Sequence, residues 1–192
     1  PEWVPFWGGE YFIFFRPVFN VADASISTGV ALIILFQSVI FKQPIEGEKE
    51  GEKVRDDYRI RKSLKTIDFL RHAGAKVIIL SHIESESQTL KPVFNYFTQT
   101  YPEYHLKFVE KILENGKEAI ANLKDGGVLL AENIRLYAGE KKNDPIFSKE
   151  LAALGDIYIN DAFSVSHRSH ASVVGIPQYI PGFAGFQFTE EV

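Results

Sequence analysis

Residues 166–170, SHRSH, place one arginine between two histidines, directly after the apolar run Ile157, Tyr158, Ile159. An uninterrupted run of this kind reads as a strand covered on both faces. It switches abruptly to Asn160-Asp161 and then to the basic turn. Arginine offers a planar fork of donors that fits carboxylate or phosphate. In open α/β sheets, ligands sit just beyond the carboxyl ends of the strands. An anion is therefore the expected ligand of Arg168 and its histidine neighbours. Two other strand-like runs end in the same way. AKVIILSH (75–82) finishes on His82, and GGVLLAEN (126–133) leads into Ile134-Arg135. Three basic or imidazole tips predict a single cationic pocket along one sheet edge. Asp23 poses a separate question. It is the sole charge in residues 21–41, and a carboxylate inside an apolar span is costly enough to mark a functional candidate.

The elements that must hold these tips alternate. Ile60, Leu64, Ile67 and Leu70 recur at helical spacing from Arg59 and stop near Gly74. A helix is predicted over 88–100, a short strand over 105–110, and a helix over 111–124 with an interruption at Gly116. The helix at 145–154 carries its proline near the start, where no N–H is needed. DIYINDAF (156–163) is the last clear strand. Strands alternating with helices imply right-handed βαβ units and a parallel sheet: an α/β, Rossmann-like, three-layer domain. Residues 21–41 have the length of a membrane-spanning helix, and Trp3, Phe6, Trp7, Tyr11, Phe12, Phe14 and Phe15 would suit the interface. Lys42, Lys49, Lys53 and Arg55 follow that run and only Arg16 precedes it, which puts the C-terminal side in the cytoplasm. Residues 42–55, with Glu-Gly-Glu-Lys twice, read as an exposed, mobile linker.

Composition excludes several classes. A net charge of −4 gives no reason to expect nucleic acid. Without cysteine there is no disulfide framework, thiolate zinc site or cysteine nucleophile. The five histidines lack zinc spacing, and neither a G-x-x-x-x-G-K-[ST] loop nor a G-x-G-x-x-G turn occurs. The absence of methionine suggests a piece of a longer chain, with any targeting sequence out of sight.

Four ordered blocks give the anion an expected identity. YINDAFSVSHRSHASVVG resembles V-N-D-A-F-G-T-A-H-R-A-H-A-S-x-V-G of the phosphoglycerate kinases. VRDDYRIRKSLKTIDFLRHAGAKVIILSH, LLAENIRLYAGEKKND and GFAGFQFTEEV resemble that family's D-D-x-R-I-x-x-x-L-P-T-I, L-L-E-N-L-R-F-x-x-E-E-x-x-N-D and A-G-F-L-M-E-K-E-L segments. The resemblance covers about residues 54–192. It implies phosphoryl transfer between 1,3-bisphosphoglycerate and ADP, giving 3-phosphoglycerate and ATP, in a monomeric cytoplasmic enzyme. The glycerate side of such a kinase would be residues 56–192, with Mg-ATP or Mg-ADP held by a further domain, so this chain alone is not expected to turn over. Carried over by motif, Arg59 would contact the substrate carboxylate side and the transferring phosphoryl, as the catalytic arginine. Arg135 and Arg168 would bind the substrate phosphate, and His82 the substrate. Two departures stand out. SHIESES (81–87) replaces the family's S-H-L-G-R-P, losing an arginine, and the family's first strand, R-V-D-F-N-V-P, is not found after residue 41. Residues 1–41 instead resemble the tail of signal peptidase II, through FNVADASISTG and that family's N-x-A-D-x-x-I. There Asp23 would be one of a catalytic pair whose partner lies upstream of Pro1, and residues 21–41 would anchor the chain in a membrane.

Overall fold

The computed structural model describes residues 29–34, 41–42, 53–54, 57–83 and 89–192. Its centre is a six-stranded sheet whose pairings are all parallel, in the order β5-β6-β4-β1-β7-β8. The strands are β1 (Val30–Ile34), β4 (Lys76–Leu80), β5 (Lys107–Val109), β6 (Val128–Ala131), β7 (Ile157–Asn160) and β8 (Gly182–Ala184). A separate two-stranded antiparallel ribbon pairs β2 (Phe41–Lys42) with β3 (Lys53–Val54).

Alternating side chains divide the core in two. Val77 and Ile79 of β4 pack with Ile60, Ile67 and Leu70 of α1 (Tyr58–His72) and Val93 and Phe97 of α2 (Lys91–Thr100). Ile78 and Leu80 face the other way, toward Ile112 and Ile120 of α3 (Ile112–Ala121) and Leu151 of α5 (Pro145–Ala152). Helices on both faces explain why β4, β6 and β7 are continuous apolar runs. Gly74, at φ 82°, ends α1 in the left-handed region that glycine enters without strain. The predicted interruption at Gly116 does not occur. α3 runs through it, and a Cβ there would come within 3.0 Å of Ile112 Cδ1, so glycine serves close packing instead.

The main correction concerns the apolar run at 21–41. Its described part is not helical: Val30–Ile34 form the central strand, paired with β4 on one side and β7 on the other. No helix among the described residues is long and apolar enough to cross a membrane. Three of the five residues of VALII are β-branched, and a run of that length suits a strand paired on both sides. The start of the strand is pinned by Asp156, whose Oδ2 accepts the Val30 N–H at 2.8 Å and whose own N–H donates to Val30 O at 2.8 Å. Lys76 N–H donates to Gly29 O on the other side. The sheet thus has a first strand, supplied by residues ahead of the stretch where it was expected. The expected linker is likewise framed by paired residues, since the β2–β3 ribbon spans its two ends. Asp23 lies outside the described residues.

Candidate anion-binding site

Strand order decides which tips can meet. β6, β4, β1 and β7 are neighbours in that sequence, so their carboxyl ends line one stretch of sheet edge. Beyond β4 comes His82. Beyond β6 comes a single 3-10 turn, Ile134–Leu136, that carries Arg135. Beyond β7 come Asp161 and the turn bearing His167, Arg168 and His170.

Each tip is held by hydrogen bonds that sequence alone does not reveal. Asn133 Nδ2 donates to Ile83 O at 3.0 Å, and Asn133 Oδ1 accepts the Arg135 N–H at 3.1 Å. The Ile134 N–H donates to Ser81 O. The β4 and β6 tips are therefore tied together, and Arg135 is fixed relative to His82. Buried Glu132 accepts from Thr89 Oγ1 and from the Leu90 N–H, both at 2.6 Å, which anchors the entry to α2. On the β7 side, Asp161 Oδ1 accepts the Gln187 N–H at 2.9 Å and so ties this tip to α6 (Phe186–Glu191).

The electrostatics show which of the tips share one site. His82 is 3% exposed, and its pKa is lowered from 6.5 to about 3. Burial is the main cause, followed by the charges of Arg135 and Arg168 and then by His170 and Lys141. Arg135 is itself pushed down by burial and by Arg168. These mutual effects mean that His82, Arg135, Arg168 and His170 lie within each other's fields, as one concentrated positive region. His82 Nε2 and Asn160 Nδ2 are buried with no hydrogen-bond partner among the described residues. Buried polar atoms in that condition call for a physical explanation, and a ligand is one. The cluster can bind a compact anion, and neutral His82 can accept or donate one hydrogen bond without adding charge.

Three of the predicted site residues, His82, Arg135 and Arg168, are brought together here. Arg59 occupies the first turn of α1, half-buried; the largest charge effects on His82 come from the strand-tip residues instead. The acidic replacement at 84–87 lies outside the described residues. Sequence reasoning missed Lys141, Asn133 and Glu140. Glu140 is fully buried on α4 (Ala138–Lys141) yet sits in AGEKKND, a string that reads as solvent-facing. His170 was visible in the SHRSH turn as a neighbour of Arg168, and it falls within the same cluster.

A parallel sheet with basic side chains converging beyond its carboxyl ends defines an α/β protein with a candidate site for a small anion. The phosphoglycerate kinase family matches residues 38–192, well over half of the chain, and the chain belongs to that family. It is 43% identical over 144 residues to a phosphoglycerate kinase of Dictyoglomus turgidum, covering 72% of this chain and 36% of that protein. It is 41% identical over 160 residues to one from Wolbachia sp. subsp. Drosophila simulans, covering 80% and 39%. The chain therefore spans roughly two-fifths of the length of these curated relatives. Among solved structures, the Coxiella burnetii phosphoglycerate kinase superposes with a TM-score of 0.76 at 25% identity, over 92% of this chain and 43% of that one. The Pyrococcus horikoshii phosphoglycerate kinase gives 0.74 at 29% identity, over 90% and 44%. The comparisons lend no support to the signal peptidase II resemblance of residues 1–41.

Proposed function

We propose that the basic cluster is the glycerate side of a phosphoglycerate kinase, binding 3-phosphoglycerate or 1,3-bisphosphoglycerate. The observation that carries this reading is the convergence of Arg135, Arg168 and buried neutral His82 on one sheet edge, in a chain of that family. The reaction proposed is reversible phosphoryl transfer between 1,3-bisphosphoglycerate and ADP. Such a transfer asks mainly for in-line positioning and for cations that balance charge on the equatorial oxygens. Arg135 and Arg168 would clamp the phosphate of the glycerate, with His82 as a neutral partner to a substrate oxygen. Arg59, on α1, would reach the carboxyl side and the transferring group. Mg-ATP or Mg-ADP supplies or accepts the phosphoryl group when bound. Among the described residues no group of three or more His, Cys, Asp and Glu could hold a metal ion.

Calorimetric titration of 3-phosphoglycerate into the full chain, beside an Arg168→Ala control, tests the assignment. Saturable heat lost in the control supports it. Equal affinity for inorganic phosphate, sulfate and 3-phosphoglycerate would replace it with a general anion site. No heat from a folded sample would refute a working site.

A further inference from the structure

Beside the arginines lies a carboxylate that the proposed reaction does not use. Glu140 is fully buried. It accepts the Ser172 N–H at 3.0 Å and the Ser172 hydroxyl at 2.5 Å. Ser172 is two residues beyond His170, so these bonds fasten α4 to the basic turn. His170 Nδ1 is buried, has no hydrogen-bond partner among the described residues, and lies 4.0 Å from Glu140 Oε1. That gap is about 1 Å longer than a charge-assisted hydrogen bond. The pair is thus close but not hydrogen-bonded.

We propose that Glu140 is the positioning residue of His170: its carboxylate accepts a hydrogen bond from the Nδ1–H of the imidazolium and leaves Nε2–H, on the opposite side of the ring, to donate to the bound anion. The groups facing His170 oppose its protonation and so keep the pair apart. Burial lowers the pKa of His170, and Arg135, Arg168, Lys141 and His167 oppose its protonation further. Burial raises Glu140, against the two Ser172 donors and the Arg135 charge. An arriving anion offsets the arginine charges. His170 then takes a proton from solvent, the Glu140–Nδ1 contact shortens, and the site gains a third donor. Anion binding is therefore coupled to uptake of up to one proton. Only this ligand half of the inference rests on the glycerate-phosphate reading.

Nuclear magnetic resonance of the His170 ring in the full chain, followed as a function of pH without ligand, tests the pairing. Replacing the carboxylate in Glu140→Gln is expected to make His170 protonate about tenfold less readily, as for loss of an opposite charge at this range. An unchanged or easier protonation overturns the proposal. Should Glu140→Gln not fold, Ser172→Ala decides instead. It frees Glu140 from the hydroxyl and is expected to ease His170 protonation several-fold, and no change or a decrease overturns the pairing. Proton uptake on binding 3-phosphoglycerate, read by calorimetry in buffers of different ionisation heat, should be present in the wild type and lost in His170→Asn. If 3-phosphoglycerate gives no heat at all, the substrate reading fails while the ring titration still decides the Glu140 pairing.

Discussion

Acidification should expose the burial of His82, provided its effect is separated from that of Asp161. The His82 pKa is about 3 in the folded chain against 6.5 ordinarily. Between those values the unfolded chain binds more protons, so stability is complete above about pH 6.5 and falls as the pH drops toward 3. The gap of roughly three and a half units corresponds to about 5 kcal/mol over the whole window, and to about 2 kcal/mol by pH 5. Asp161 acts in the opposite direction. Burial raises it from 3.8 to about 6, against hydrogen bonds from Thr66, Phe188 and Gln187. The folded chain therefore binds the extra proton between those values, and stability rises by about 1 kcal/mol as the pH drops from 6 to 5. The wild type should thus change little between pH 7 and 5, because the two slopes nearly cancel. The His82→Gln variant keeps a neutral polar side chain and removes one slope. Its stability should rise on acidification, and its difference from wild type should move by about 2 kcal/mol in its favour between pH 7 and 5. Urea unfolding at pH 5, 6 and 7 reads this as a midpoint displaced by about 1 M, for a slope of about 2 kcal/mol per M. A difference between the two proteins that does not vary with pH would refute the picture of a buried, neutral imidazole under two arginines.

Four further substitutions probe the basic cluster, the sheet and the start of α6. Arg135→Ala and Arg168→Ala should each weaken 3-phosphoglycerate binding about tenfold or more, by loss of a charge-assisted contact, and each should make His82 easier to protonate in ring titrations even without ligand. Ala31→Asp puts an uncompensated charge at a fully buried position of β1 and should cost about 3 kcal/mol or more; unchanged thermal unfolding would show that β1 is dispensable to the sheet. Gly185→Ala places a Cβ against the Asp161 carboxylate, where a real Cβ cannot fit, so the start of α6 must move. Loss of about 2 kcal/mol in urea unfolding, together with a normalised Asp161 titration, is the expected result.

The parts of the fold that were legible in sequence are those where one physical rule acts alone. β4, β6 and β7 are buried on both faces, so each appears as an apolar run, and the polar residue that ends the run marks the sheet edge where ligands bind. The placement of His82, Arg135 and Arg168 beyond strand ends followed directly from that rule. Residues 21–41 show where it fails. An apolar run does not say whether its backbone bonds are made within a helix or with neighbouring strands, and counting its full length favoured the helix. What settles Val30–Ile34 as a strand is non-local: Asp156, Lys76 and the two flanking strands supply partners from well over forty residues away in the chain. Glu140 fails for the mirror-image reason. Its neighbours Lys141, Lys142, Asn143 and Asp144 are those of a surface turn, and its burial is produced by the 171–175 segment folding across α4 and presenting two Ser172 donors. A carboxylate carried into the interior by a distant segment leaves no periodic trace. Its best sequence signal is chemical: a basic turn rich in histidine needs an acceptor for its imidazole protons, and the nearest polar stretch beyond another strand tip is where that acceptor lies.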